Sequence, residues 1–249
     1  MVSETAAQAY RRVLDGARSY LRREPPSLKA VDTRGRVTDT RPMTSFPREK
    51  FASTAAYAEA YFAELTRATA ELDRARLNAA ADLLGAAYRR GASVFVCGNG
   101  GSAALANQMV CDHMKSMQTD AAVNARLISL VATMETVTAI ANDISYDDVF
   151  VYQLRTLARP GDLLVSYSAS GDSENVVRAV NWAAENGVDS LAMTGFEGGR
   201  SAAAATVNLH VAADNYGVLE DLFQSISHIL VHSLRMAEMP ADLVTARKF

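Results

Sequence analysis

The chain has 249 residues, enough for one ample domain with an appendage and a full core. It is 49% hydrophobic and 21% charged with a formal net charge of −3, which argues against a nucleic-acid binder, since these normally show a basic surplus or a basic, aromatic-laced face. No apolar run approaches the roughly 20 residues that cross a bilayer, the first residues hold no signal-peptide core, and two cysteines make no disulfide framework, so a soluble cytoplasmic protein is expected.

Residues 6–23 place Tyr10, Leu14, Ala17 and Leu21 on one helical face, and Pro25-Pro26 ends that helix. Residues 27–49, polar and basic with Gly35, Pro42 and Pro47, read as an irregular arm. From Phe51 an Ala-rich pattern predicts two helices to about residue 90, the second capped by Asp73 and stopped at Gly91. Strands are then expected at about 93–97, 126–131, 162–167, 188–193 and 206–211. Helices are expected at about 102–117, 133–142, 147–158, 173–186 and 217–237. Such alternation implies an α/β three-layer sandwich, flavodoxin-like, with a five-stranded parallel sheet, N-terminal helices before it, and ligands at the C-terminal strand ends. The domain division expected is 1–50 for the first helix and arm, and 51–249 for the ligand-binding domain. Cys97 and Cys111 read as small buried thiols.

Two segments carry chemistry. VFVCGNGGS at 94–102 is an apolar run opening into a glycine-rich turn, and LLVSYSASGDS at 163–173 repeats the design with serines. A buried strand, a loop of glycines and hydroxyls, and a helix N-terminus together hold phosphate through backbone N–H groups and a partial positive charge. Serines in place of lysine point to a small phosphorylated ligand rather than a nucleotide. Gly98, Gly100 and Ala103 also satisfy a loose dinucleotide fingerprint. That reading fails for want of an acid ending the second strand, because Asp120 precedes that strand.

The runs CGNGGSAALANQM, IANDISYDDVF, SYSASGDSENVVRAV, MTGFEGG and DNYGVLEDLFQSISHIL resemble the sugar isomerase (SIS) domain family, and within it the sedoheptulose-7-phosphate (phosphoheptose) isomerases. The likeness covers about residues 51–237. It implies that Ser168, Ala169, Ser170 and Ser173 bind phosphate, that Asn99, Gly100, Gly101 and Ser102 contact the sugar, and that Asn142 and Asp143 line the site. Aldose–ketose isomerisation moves a proton between adjacent carbons and relieves an enediolate. In the family a helical glutamate and a histidine of the last helix do this, and with a further histidine and a glutamine they surround zinc in characterised members. The matching residues are Asp112, His228, Gln108 and Glu220, so the glutamate is shorter, one histidine has become an amide and the glutamine an acid. Asp112, Glu220 and His228 are accordingly the candidate catalytic residues. Zinc favours nitrogen and sulfur ligands, so Gln108, Asp112, Glu220 and His228 stand as candidate ligands without a committed metal site.

The resemblance implies an isomerase of sugar phosphates working through a cis-enediol, on sedoheptulose 7-phosphate and a heptose 7-phosphate. It also implies a homo-oligomer, expected as a tetramer, with no nucleic-acid or membrane partner. The alternative expectation is a non-catalytic SIS tetramer that binds a partner protein, resembling the replication-initiator-associating regulators.

Overall fold

A computed structural model describes residues 46–119, 121 and 123–247, together with the backbone of 30–31 and 37–38. The helix expected at 6–23 lies outside the described residues. The chain divides into two compact units, Met1–Met43 and Thr44–Phe249. In the first, β1 (Ala30–Val31) pairs antiparallel with β2 (Val37–Thr38), inside the stretch expected to be irregular.

The second unit opens with helices α1 (Thr54–Glu71) and α2 (Arg74–Arg89). Their starts follow from short polar side chains that accept orphan backbone N–H groups. Ser53 Oγ accepts from Ala56 N at 3.2 Å, and Asp73 Oδ1 accepts from Ala75 N and Arg76 N at 2.8 and 3.1 Å. Strand β3 (Ser93–Gly98) and helix α3 (Gly101–Gln118) follow, then β4 (Arg126–Ser129) and α4 (Met134–Asp143). A 3₁₀ turn (Tyr146–Asp148) leads to α5 (Val151–Leu157), then β5 (Leu163–Ser168) and α6 (Glu174–Glu185). The chain ends with β6 (Asp189–Thr194), α7 (Gly199–Ala204), β7 (Val207–His210), α8 (Tyr216–Glu238) and α9 (Ala241–Val244).

All five expected strands are present and parallel, in the order β4-β3-β5-β6-β7. This is the flavodoxin-like 2-1-3-4-5 order, whose direction of winding reverses between its first and third strands. Here those are β3 and β5, paired with Cys97 opposite Ser166 and Gly98 opposite Tyr167. Their C-terminal loops therefore leave the sheet side by side, where an open α/β sheet leaves a crevice for ligand.

Period-two alternation splits the core. Val94, Val96, Val165 and Tyr167 face one cluster with α1, α2, α3 and α8, while Phe95, Cys97 and Leu164 face another with α4, α5 and α6. Strands buried on both faces read as continuous apolar runs, which is why β3 and β5 were legible. The expected 147–158 helix is instead a capped 3₁₀ turn followed by the shorter α5, and Ser145 Oγ, accepting from Asp147 N at 3.1 Å, starts that separate turn. Among the described residues, no helix is long and apolar enough to cross a membrane. One thiol departs from expectation. Cys97 is buried and its pKa is pushed up to about 12 by burial, but Cys111 is exposed because its position on α3 faces away from the packed α3–α8 seam.

Candidate active site

The loop after β3 is shaped by close approaches. A Cβ at Gly98 would overlap the backbone of Ser102, and Gly100 adopts φ 56°, a left-handed value that suits glycine. Gly101 opens α3 with no side-chain cap, and the Glu220 carboxylate from α8 fills the space where a Cβ of Gly101 would project. The partial positive charge at a helix N-terminus favours an anion in that place. Burial, then Asp221, raises the Glu220 pKa above the ordinary carboxylate range.

The loop after β5 turns on itself. Ser168 Oγ accepts from Gly171 N and Ser170 Oγ from Asp172 N, each at 3.2 Å, while Ser173 precedes α6 and makes no side-chain capping bond. The two loops are tied by a reciprocal amide pair. Asn99 Nδ2 donates to Asn175 Oδ1 at 2.8 Å, and Asn175 Nδ2 donates back to Asn99 Oδ1 at 3.0 Å. Tyr146 Oη of the 3₁₀ turn donates to the same Asn99 oxygen at 2.9 Å.

Between the loops lies a cavity of about 300 Å³, lined by Asn99, Gly100, Gly101, Ser102, Tyr167, Ser168, Ala169, Ser170, Ser173, Tyr216 and Glu220. Every phosphate-loop and first-loop residue expected from the sequence therefore meets in one place, with one of the three expected acid–base groups beside them. The lining holds hydroxyls, amide N–H groups and one carboxylate, but no lysine or arginine.

Asn142 and Asp143 do not line this cavity. Both are exposed at the end of α4, where Asn142 Nδ2 donates to Asp143 Oδ1 at 2.7 Å, and Tyr146 makes the contact to Asn99 instead. Asp112 and His228 do not line it either. His228 follows Glu220 by eight residues, about 12 Å along a helix, so the two do not share one cavity wall. They form a second cluster in the α3–α8 groove, where His228 Nε2 meets Asp112 Oδ2 at 3.0 Å. Gln108 Nε2 donates to Asp112 Oδ1 at 2.9 Å, and Gln224 Nε2 lies 3.4 Å from Asp112 Oδ2 and 2.9 Å from His228 Nε2.

Gln224 was missed by the sequence reading, although its position four residues from both Glu220 and His228 puts all three on one stripe of α8. Asn175, Tyr146, Tyr167 and Tyr216 were missed too. An amide amid the apolar Val176, Val177 and Val180 of the same helix was the available signal for Asn175.

The zinc expectation can be tested on these donors. A carboxylate only accepts, so the amide nitrogens of Gln108 and Gln224 face Asp112 and take positions a cation would need. Glu220 is turned to Gly101, which leaves one imidazole, one carboxylate and two amides. Among the described residues no three His, Cys, Asp or Glu side chains converge, and the set does not fit a resident zinc.

A family model described as the SIS domain matches residues 56–195. The chain belongs to the SIS domain family. It is 39% identical over 190 residues to the phosphoheptose isomerase of Mycobacterium tuberculosis, covering 73% of this chain and 92% of that protein. Among solved structures it resembles the phosphoheptose isomerase of Neisseria gonorrhoeae at 30% identity and TM-score 0.67, covering 73% of this chain and 98% of that one. It also resembles that of Francisella tularensis at 25% identity and TM-score 0.69, covering 74% and 99%.

Proposed function

We propose that this SIS domain protein is an aldose–ketose isomerase that interconverts sedoheptulose 7-phosphate and a heptose 7-phosphate through a cis-enediol. The observation that carries the reading is the single cavity in which a lysine-free phosphate loop, a sugar-contacting loop and the Glu220 carboxylate converge. Relatives that match over more than nine-tenths of their own length are named phosphoheptose isomerases, and they lend nothing to the partner-binding alternative.

In this reading Ser168, Ser170 and Ser173 bind the phosphate with the N-terminus of α6, which compensates its charge without lysine. Asn99 and Ser102 hold sugar hydroxyls. A base removes a proton from C1 of the ketose while the C2 oxygen takes one up, giving the enediol. The proton returned to C2 and the proton lost from the C1 oxygen complete the aldose. Glu220 stands at the cavity, and burial, then Asp221, raises its pKa above the ordinary carboxylate range, the direction that suits a group which both gives and takes a proton. The Asp112–His228 pair serves the same reaction from a neighbouring subunit, His228 lying near that subunit's first loop in a homotetramer. Residues 51–249 form the catalytic domain, with 1–50 as an appendage, and the enzyme works in the cytoplasm on a soluble sugar phosphate.

The deciding experiment mixes purified protein with sedoheptulose 7-phosphate and follows the aldose by NMR, with chelator and with added zinc. Product should form at a rate unchanged by either addition. No turnover on any ketose or aldose phosphate would end the isomerase reading.

A further inference from the structure

The phosphate loop is held from outside by the turn between β6 and α7. Gly195 N donates to the Ala169 carbonyl at 2.8 Å and Ser201 N to the Gly171 carbonyl at 2.9 Å. At Gly171 and Gly199 the two backbones approach so closely that a Cβ on either would overlap the other segment, and both residues have positive φ, 68° and 60°.

Arg200 completes this contact with three bonds to the loop and one to the first residue of α6. Its backbone N and Nε both donate to Asp172 Oδ1, at 3.0 and 3.1 Å, and a terminal nitrogen donates to the Asp172 carbonyl at 2.9 Å. The other terminal nitrogen donates to Glu174 Oε2 at 2.8 Å. Glu174 also accepts from Arg178 Nε at 2.9 Å, and Arg178 reaches Asp148 at 3.1 Å and Asp147 at 3.5 Å.

Asp172 and Glu174 flank Ser173, so unpaired they would set two negative charges beside an incoming phosphate. Neither arginine lines the cavity. A planar guanidinium with a fixed fork of donors is suited to hold one carboxylate, one carbonyl and a second carboxylate in a single geometry.

We propose that Arg200 is the positioning residue of the phosphate loop, fixing Ser170–Ser173 in the form that receives phosphate and cancelling the charge of the acids beside it. The kinetic part of this proposal rests on the isomerase reading; the phosphate-binding part does not.

The test uses the full chain and the variants Arg200→Ala and Arg200→Lys. Arg200 and Asp172 are both exposed, and exposed ion pairs add little to global stability, so both variants should melt within a few degrees of the parent. For Arg200→Ala, KM for sedoheptulose 7-phosphate should rise roughly tenfold with kcat unchanged, the pattern of lost uniform binding. Arg200→Lys, which keeps the charge but not the fork, should fall between the two. The rise in melting temperature caused by inorganic phosphate should shrink in the same order. An unchanged KM and phosphate shift in Arg200→Ala, or a fall in kcat that tracks a lowered melting temperature, would overturn the proposal. A parent protein that shows the phosphate shift but no turnover overturns only the isomerase reading, whereas one that shows no phosphate shift overturns the proposal itself.

Discussion

The Glu220 carboxylate rests against Gly101, the first residue of α3, in the space a side chain there would occupy. Glycine at this position is therefore a matter of room for an acid from a helix more than a hundred residues away, and the first loop and α8 specify each other. Gly101→Ala should displace Glu220 from the cavity. Because the neighbour is the end of a flexible side chain, the melting temperature should change by only a few degrees while kcat falls at least roughly tenfold, the scale of a displaced acid–base group. Full activity in Gly101→Ala would show that Glu220 does no work in this position.

Ser168 and Ser170 spend hydroxyl acceptors on Gly171 N and Asp172 N, which leaves their O–H groups free to donate to an anion. The double variant Ser168→Ala, Ser170→Ala should raise KM for a sugar phosphate strongly, since each hydrogen bond to a charged group is worth about 1.5–3 kcal/mol. The check is steady-state kinetics alongside the phosphate-induced thermal shift. If neither changes, the phosphate lies elsewhere.

Much of this site was written in local pattern. Continuous apolar runs ending in glycine and serine gave β3 and β5 with their loops, and pairing those strands at the reversal point brought Asn99–Ser102 to Ser168–Ser173. What escaped depends on contacts remote in sequence. Helix α7 is built from one glycine, an arginine, a serine and three alanines, so it shows no apolar stripe, and its role is visible only when Gly199 meets Gly171. Asn142 and Asp143 are polar and adjacent, but the end of α4 turns them to solvent. The stripe of α8 fixes which residues share a face but not how far along α3 each one reaches, which separates Glu220 from His228.

His113 gives the fold a sign-definite pH dependence. It is fully buried between α3 and α8, with Nδ1 2.7 Å from Tyr88 Oη and Nε2 3.2 Å from the Ser227 carbonyl. Burial lowers its pKa to about 4, against a weaker upward pull from Ser227 and Asp112 and a further lowering by His228 and His232. Its folded pKa lies below the ordinary 6.5, so the unfolded chain takes up the proton first. Stability from this group is complete above pH 6.5 and is lost as pH falls toward 4, by roughly 3 kcal/mol in all. Melting curves between pH 7.5 and 4.5 should fall more steeply for the parent than for His113→Gln. Parallel curves would remove His113 as the cause, since His210 and His232, also lowered by burial, are present in both proteins.

Assembly carries the next expectation. α8 leaves Ile229 and Met236 exposed, α1 leaves Phe62 and α3 leaves Met114, all large apolar side chains on helices. Joined to the placement of Asp112 and His228 outside their own chain's cavity, this favours a homotetramer that brings the pair to a neighbour's loop. Light scattering at micromolar concentration should give a tetramer or at least a dimer, and a clean monomer of 26.8 kDa would contradict it.

Proton transfer makes the sharpest test, because it divides three groups that the structure holds in two places. Asp112→Asn, Glu220→Gln and His228→Ala should each fold, and each should lower kcat by roughly 10²–10⁴-fold, the usual reach of general acid–base catalysis. The variant lacking the base should also stop exchanging the C1 proton of the ketose with deuterium from solvent while still binding the sugar phosphate. Glu220 stands at the cavity and Asp112–His228 in the groove, so assembly separates their effects. Mixing inactive Glu220→Gln with inactive His228→Ala chains should restore part of the activity if a site draws on two subunits, because some mixed interfaces then carry both intact groups. No recovery in mixed oligomers shown by mass to have exchanged subunits would place the whole reaction within one chain. Wild-type turnover in all three single variants would sink the mechanism itself.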